Sequence, residues 1–131
     1  MLVTPSDSPC YGICIGDVHS GNTHFTQLNQ PTLLDFDQCG YGWRAFDIGK
    51  FISICIAWKI DSKVIGSFLE GYQTIRQLNK IELTAIPLFT KIALIWVMGI
   101  SASVVGDVLA YGWFTDDWLD SKLELFKQLG D

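Results

Sequence analysis

Asp17, Asn22 and Asp35 are oxygen-bearing side chains set in and just after a glycine-rich turn. They lie in "IGDVHSGN" (Ile15 to Asn22) and "LLDFDQCGYGWRAFD" (Leu33 to Asp47). Phosphoryl transfer asks a protein mainly for such groups: a carboxylate to orient or deprotonate the attacking hydroxyl, and oxygen ligands that hold Mg²⁺ against nucleotide phosphates. If Gly16 to Asn22 is a loop, Asp17 and Asn22 can face one cavity. The run "HFTQL", "NQP", "TLLDF" (His24 to Phe36) then reads as a hairpin whose turn is Asn29, Gln30 and Pro31. That hairpin would return Asp35 to the same cavity, with Asp37 two residues beyond it.

The elements that must hold this stretch follow it. Phe46 to Trp58 is apolar on nearly all sides, as in a helix within a core, and Asp47 stands at its start, where a carboxylate suits the helix dipole. Ser62 to Leu78 places Ile65, Leu69, Tyr72 and Ile75 at helical spacing. A third helix is expected from about Ile81 to Val108, broken or kinked at Pro87. A fourth begins at the N-cap Thr115, with Asp116 and Asp117 in its first turn and Leu119, Leu123, Phe126 and Leu129 as its buried face. The reading is a single α+β domain over residues 1–131, mainly α-helical, with one β-hairpin after the loop.

The totals narrow the chemistry further. A length of 131 residues suits one domain. The net charge of -5, with nine scattered basic residues, argues against a nucleic-acid partner. Cys10, Cys14, Cys39 and Cys55 form no C-x-x-C pair and have two histidines beside them, a poor basis for a zinc site. The opening "MLVTPSDSPCYG" has no secretory pattern, so the expected setting is cytoplasmic, with reduced, buried thiols. Ile92 to Gly106 contains two serines and two glycines and is read as a buried helix, with no membrane partner. A hydrophobic fraction of 49% implies apolar surface that expects a cover.

"IGDVHSGN" followed by "LLDFDQCGYGWRAFDIG" resembles the catalytic segment of the aminoglycoside phosphotransferase and choline kinase-like family, whose fold is that of protein kinases. The resemblance spans Gly12 to Gly49 and is looser beyond. It implies transfer of the ATP γ-phosphate to a small-molecule hydroxyl, with Asp17 as catalytic base, Asn22 and Asp35 as cofactor and Mg²⁺ ligands, and Asp37 as an auxiliary metal-side acid. Asp47 resembles the family's structural acid, which supports the catalytic loop. Ile15 stands where the family has the first His of its motif. The family's nucleotide-binding lobe precedes this segment, and only sixteen residues precede Asp17 here. The expectation is therefore the C-terminal portion of a kinase-like C-lobe, with a missing N-terminal lobe or a homodimer covering its apolar faces.

Individual residues have plainer readings. Asp17 alone would be a turn aspartate; its joint spacing with Asn22 and Asp35 favours catalysis. His19 is read as a structural hydrogen-bonding residue and His24 as structural or surface. Gly40 and Gly42 are read as turn residues, since no G-K-[ST] accompanies them. Trp58, Trp96, Trp113 and Trp118 are read as core. Asp116, Asp117 and Asp120 could bind a cationic acceptor, although helix-start capping explains the first two. Two functions remain open: a small-molecule kinase, or a non-catalytic remnant or interaction module on the same fold. A dinuclear phosphoesterase is set aside because no histidine follows His24.

Overall fold

A computed structural model describes residues 10–105, 112 and 114–129. In chain order the elements are β1 (Tyr11–Cys14), a single 3-10 turn (Ser20–Asn22), β2 (Thr23–Phe25), β3 (Pro31–Leu33), β4 (Gly40–Trp43), α1 (Arg44–Ala57), α2 (Ser62–Ile75), α3 (Lys80–Val105) and α4 (Asp116–Gln128). The chain is mainly helical with two small antiparallel ladders, β2 on β3 and β1 on β4.

The expected hairpin is β2–β3, but its turn is displaced. Phe25 pairs with Pro31, so Pro31 is a strand residue. The connection is 26–30, closed by the Thr26 N–H donating to the Gln30 carbonyl (3.0 Å) and the Asn29 N–H donating to the Thr26 carbonyl (2.9 Å). Asn29 takes the left-handed φ of 56° that asparagine tolerates, and proline, lacking an N–H, is accepted at the first position of a strand.

The second ladder corrects the reading of Gly40 and Gly42 as turn residues. Cys14 opposes Gly40 and Gly12 opposes Gly42. Gly12 leaves room for the Arg44 guanidinium, which a Cβ there would displace and which donates to the Tyr11 carbonyl at 2.8 Å.

Helix α1 packs principally on α3. Ala45, Ile48, Leu78, Ala85, Ile86 and Phe89 form the buried cluster between and beside them. The two helices approach closely at Gly49, where a Cβ would lie 2.7 Å from the backbone of Phe89 and Thr90. Phe51 of α1 stacks on Phe68 of α2 with centroids 4.1 Å apart.

Helix α2 ends at Ile75, three residues before the expected Leu78. Arg76 turns extended, Leu78 enters the core, and Ile75 is left 91% exposed. Helix α3 runs unbroken through Pro87. Pro87 and Leu83 are both exposed, so water can satisfy the carbonyl that proline leaves without a helical donor. The expected end at Val108 lies outside the described residues.

Helix α3 is also not buried all round. Ala85, Phe89, Ala93 and Leu94 face inward, whereas Leu88, Ile92, Ile95 and Trp96 are exposed. Lys80–Val104 is long and apolar enough to cross a membrane by length and composition, and 33% of its most apolar window is buried in the fold. The expected buried face of α4 is likewise absent: Leu119, Phe126 and Leu129 are half-buried and Leu123 is 46% exposed. Among the helices, α4 has α3 as its main neighbour. Its N-cap is as expected, Thr115 Oγ1 accepting the Trp118 N–H.

Helix α3 starts with a reciprocal cap. The Glu82 N–H donates to Asn79 Oδ1 at 2.9 Å, and the Asn79 N–H donates to Glu82 Oε2 at 3.1 Å. Arg76 adds a two-pronged bond to the same carboxylate at 2.6 and 3.1 Å. Burial pushes the Glu82 carboxyl up, but the Arg76 and Asn79 bonds outweigh it and hold it below its ordinary value. A carboxyl depressed in the folded state stabilises the fold above its unfolded pKa and loses that contribution as pH falls through the folded value. Glu82→Gln is therefore expected to cost about 3 kcal/mol at neutral pH. The difference from wild type should shrink towards zero in urea unfolding repeated on the acid side of the carboxylate range. Asp47, shifted the opposite way, is common to both proteins and cancels in the comparison.

Candidate functional site

The loop from Ile15 to Asn22 is held from below by α1. Asp47, in the helix's first turn, accepts the Ile15 N–H on Oδ2 and the Gly16 N–H on Oδ1, both at 2.8 Å. Burial raises the Asp47 carboxyl above its ordinary value, while the two N–H bonds and the nearby Lys50 charge pull against that rise. Asp47 thus supports the loop, as the resemblance implied. Gly16 has φ 81°, and a Cβ there would run into the Gln38 carbonyl. Gln38 itself is tied to α3: its Oε1 accepts the Trp96 indole N–H at 3.1 Å.

Asp17 sits at the centre. Its Oδ1 lies 3.2 Å from the Lys50 ammonium. Its Oδ2 accepts Asn22 Nδ2 at 3.3 Å and stands 3.5 Å from His19 Nε2. Asn22 Nδ2 also donates to the Asp17 carbonyl at 3.1 Å, and Asn22 Oδ1 has no hydrogen bond among the described residues. His19 has the structural part expected of it: Nδ1 accepts the Gly21 N–H and so caps the 3-10 turn. His24 is exposed on β2.

The hairpin brings Asp35 back through the backbone. The Leu34 N–H donates to the Asn22 carbonyl at 2.8 Å, so Asp35 follows directly on a residue bonded to the loop. Asp35 has φ 58°, a left-handed conformation uncommon for a residue with a side chain. Asp37 lies in the next turn, closed by the Cys39 N–H to the Phe36 carbonyl, and no bond ties it to Asp17 or Asn22. Both carboxylates are exposed and make no hydrogen bond or ion pair with the described residues.

Lys50 was the residue that sequence reasoning missed. It is 2% exposed, the largest of the fully buried side chains, one helical turn beyond Asp47 on α1. Its signal was a lone lysine in an otherwise apolar helix. A buried ammonium needs a counter-charge, and Asp17 supplies it.

Asp17 and Lys50 open into a cavity of about 490 Å³ whose other walls include His19, Trp58, Trp118 and Lys122, a size ordinary for a small-molecule site. Trp58 and Trp118 therefore face this space rather than the core, and Trp96 is 49% exposed; Trp113 lies outside the described residues. Asn22 and Asp35, expected to face the same cavity as Asp17, do not line it, because the cavity opens between α1, α3 and α4 while those two residues lie by the β2–β3 hairpin. Asp116, Asp117 and Asp120 are exposed and do not line it either. Cys10, Cys14 and Cys55 are buried thiols, whereas Cys39 is exposed. Burial, with the Asp47 charge beside it, pushes the Cys14 thiol up to about 11, which makes it a poor nucleophile.

Among the described residues no three His, Cys, Asp or Glu side chains gather into a metal cluster. Mg²⁺ does not require one, since it keeps waters and phosphate oxygens and takes one or two carboxylates from the protein. Asn22 Oδ1 and the unpaired Asp35 and Asp37 carboxylates are hard oxygen donors of that kind.

Comparison with known proteins agrees with this geometry. A model of the phosphotransferase enzyme family matches residues 5–82, more than half of the chain. An uncharacterized protein of Synechocystis sp., sll1119, is 38% identical over 126 residues, covering 96% of this chain and 35% of that protein. An uncharacterized protein of Deinococcus radiodurans is 31% identical over 96 residues, covering 70% of this chain and 28% of that protein. The chain thus spans about a third of the length of the curated relatives it matches. Among solved structures, the amicoumacin kinase hAmiN, in complex with AMP-PNP, Ca²⁺ and Ami, superposes with a TM-score of 0.66 at 24% identity over 92% of this chain and 37% of its own. The match of the family model over the very loop, hairpin and helix described above shows that this chain belongs to the phosphotransferase enzyme family, as part of a kinase-like fold.

Proposed function

We propose that this chain carries the catalytic segment of a cytoplasmic enzyme that transfers the γ-phosphoryl group of ATP to a hydroxyl of a small molecule. The observation that carries the reading is Asp17, held by Lys50 and Asn22 in the wall of a cavity, with Asp35 next in sequence to Leu34, whose N–H bonds the Asn22 carbonyl. Asp17 would accept a hydrogen bond from the acceptor hydroxyl and aim its oxygen at the phosphorus. Catalysis of this kind is mostly positioning and charge stabilisation. The Lys50 ammonium, already beside Asp17, would offset charge on the phosphoryl group in flight. Asn22 and Asp35 would hold Mg²⁺, with Asp37 as the auxiliary acid, and the bound ion neutralises the phosphate oxygens. AMP-PNP and Ca²⁺ in the complex of the kinase neighbour support a nucleotide and a divalent cation here.

A second reading, a non-catalytic module of the same fold, has one observation in its favour. Beside the loop, Tyr41, Trp43, Ile92 and Trp96 leave an apolar hollow of about 410 Å³, and all four are exposed. In either reading this surface would be covered by a nucleotide-binding lobe or by a second copy of the chain.

Calorimetric titration of Mg·ATP into the chain separates the two. Binding is expected, and Asp35→Asn is expected to weaken it by about tenfold or more, the effect of losing a charged ligand. Absence of binding, or binding indifferent to Asp35, would favour the non-catalytic module.

A further inference from the structure

Two lysines reach the cavity, and their electrostatic situations differ. Lys50 is matched by Asp17 at 3.2 Å. Lys122 is half-buried on α4, its ammonium 5.4 Å from the centroid of the Trp118 ring, and among the described residues no carboxylate lies within ion-pair distance of it. The acids nearest in sequence, Asp120 and Glu124, are exposed and outside the cavity wall, and Glu124 is paired with Lys127. Among the described residues that line the cavity, Asp17 and Lys50 are paired, and Lys122 is the remaining side chain with a full charge.

We propose that the cavity takes an acceptor that carries an anionic group, a carboxylate or a phosphate, near its reactive hydroxyl, and that Lys122 holds that group while Asp17 meets the hydroxyl. This rests on the phosphotransferase reading for the reacting end of the acceptor. It runs opposite to the cationic acceptor that Asp116, Asp117 and Asp120 might have bound, because those carboxylates face solvent and the charge facing the cavity is positive.

Trp118 and Trp58 give the acceptor apolar walls, and His19 packs edge-on against Trp58 at 5.7 Å, fixing that side. Partial burial lowers the pKa of Lys122, since water that would solvate the ammonium is excluded. A bound anion would replace that lost solvation with a charge-assisted hydrogen bond, which is among the stronger polar contacts a site can make. The same group on a neutral or cationic acceptor would gain nothing or be repelled, so the lysine discriminates as well as binds.

The test uses three small alcohols alike in size and different in charge: glycerate, glycerol and serinol. Saturation-transfer NMR on the full chain reads weak binding directly. Transfer to glycerate is expected to exceed that to the other two, and its affinity is expected to fall about tenfold in Lys122→Met. Lys122→Arg should restore it, and Lys127→Met, an exposed control, should leave it intact. Equal transfer to the three alcohols, or a glycerate signal indifferent to Lys122→Met, overturns the proposal. Displacement of glycerate by Mg·ATP overturns it too, since Lys122 would then serve the nucleotide phosphates. Mg·ATP binding without glycerate selectivity would place the failure here. Selective glycerate binding in a chain that ignores Mg·ATP would place it in the phosphotransferase reading.

Discussion

Asp17→Ala is expected to lower the stability of the chain by about 3 kcal/mol, well beyond what removing a loop aspartate ordinarily does. The reason is Lys50, 2% exposed and 3.2 Å from Asp17 Oδ1. Truncating the carboxylate leaves a buried ammonium without its nearest counter-charge, and breaking one half of a buried pair typically costs about 3 to 5 kcal/mol. Asp47 feels the Lys50 charge as well, which places the effect at the lower end. Replacing both partners is the informative comparison. Asp17→Ala with Lys50→Met removes the orphaned charge and keeps most of the lysine's volume, so the double variant is expected to regain much of the loss. Urea unfolding of the four proteins gives the coupling directly. Strict additivity of the two single effects would show that the pair is not the buried unit described here. If Asp17 orients the hydroxyl as proposed, the same double variant is expected to be inactive in phosphoryl transfer, because recovered stability does not return that group.

What the sequence could disclose divides along the range of the interactions involved. The contact of Asp17 with Asn22 and the hairpin that follows were legible because they are local, and the Leu34 to Asn22 bond ties the hairpin to the loop. That the cavity would open between α1, α3 and α4, away from Asn22 and Asp35, was not, since those helices come from far along the chain. Helices α1, α2 and α4 and the Thr115 cap were legible from period and capping chemistry. The β1–β4 ladder was not, since Tyr11 pairs with Trp43 across the whole loop and hairpin, and Gly40 and Gly42 look like turn residues until their strand partners Cys14 and Gly12 are known. Lys50 was hidden for the same reason: an apolar helix shows that a lysine is unusual, not that its partner lies in a loop far back in the chain. The apolar stripes of α2 and α4 misled in the other direction. Ile75 and Leu123 fit the helical period, yet both are exposed, with no element among the described residues covering them.

Helix α1 is the part that joins fold to chemistry, and Asp47→Ala is expected to show it. Asp47 and Lys50 stand one turn apart, so a single helix face holds both the backbone of the loop and its central side chain. The Asp47 carboxylate accepts two N–H groups at 2.8 Å. Hydrogen bonds to a charged acceptor are worth about 1.5 to 3 kcal/mol each, so their joint loss should release the loop before it unfolds the domain. Amide exchange at Ile15 and Gly16 is expected to speed up by about a hundredfold in Asp47→Ala, a local opening of roughly 3 kcal/mol. Core amides such as those of Phe89 and Ala93 should change far less. Asp47→Asn is expected to resemble the alanine variant, because its amide nitrogen would present hydrogens to one of the two N–H donors. Full protection of both amides in Asp47→Asn would mean that shape, not the paired acceptor oxygens, holds the loop. Rapid exchange with Lys50 still packed would mean the reverse, that the paired acceptor oxygens hold the loop while Asp17 keeps its partner.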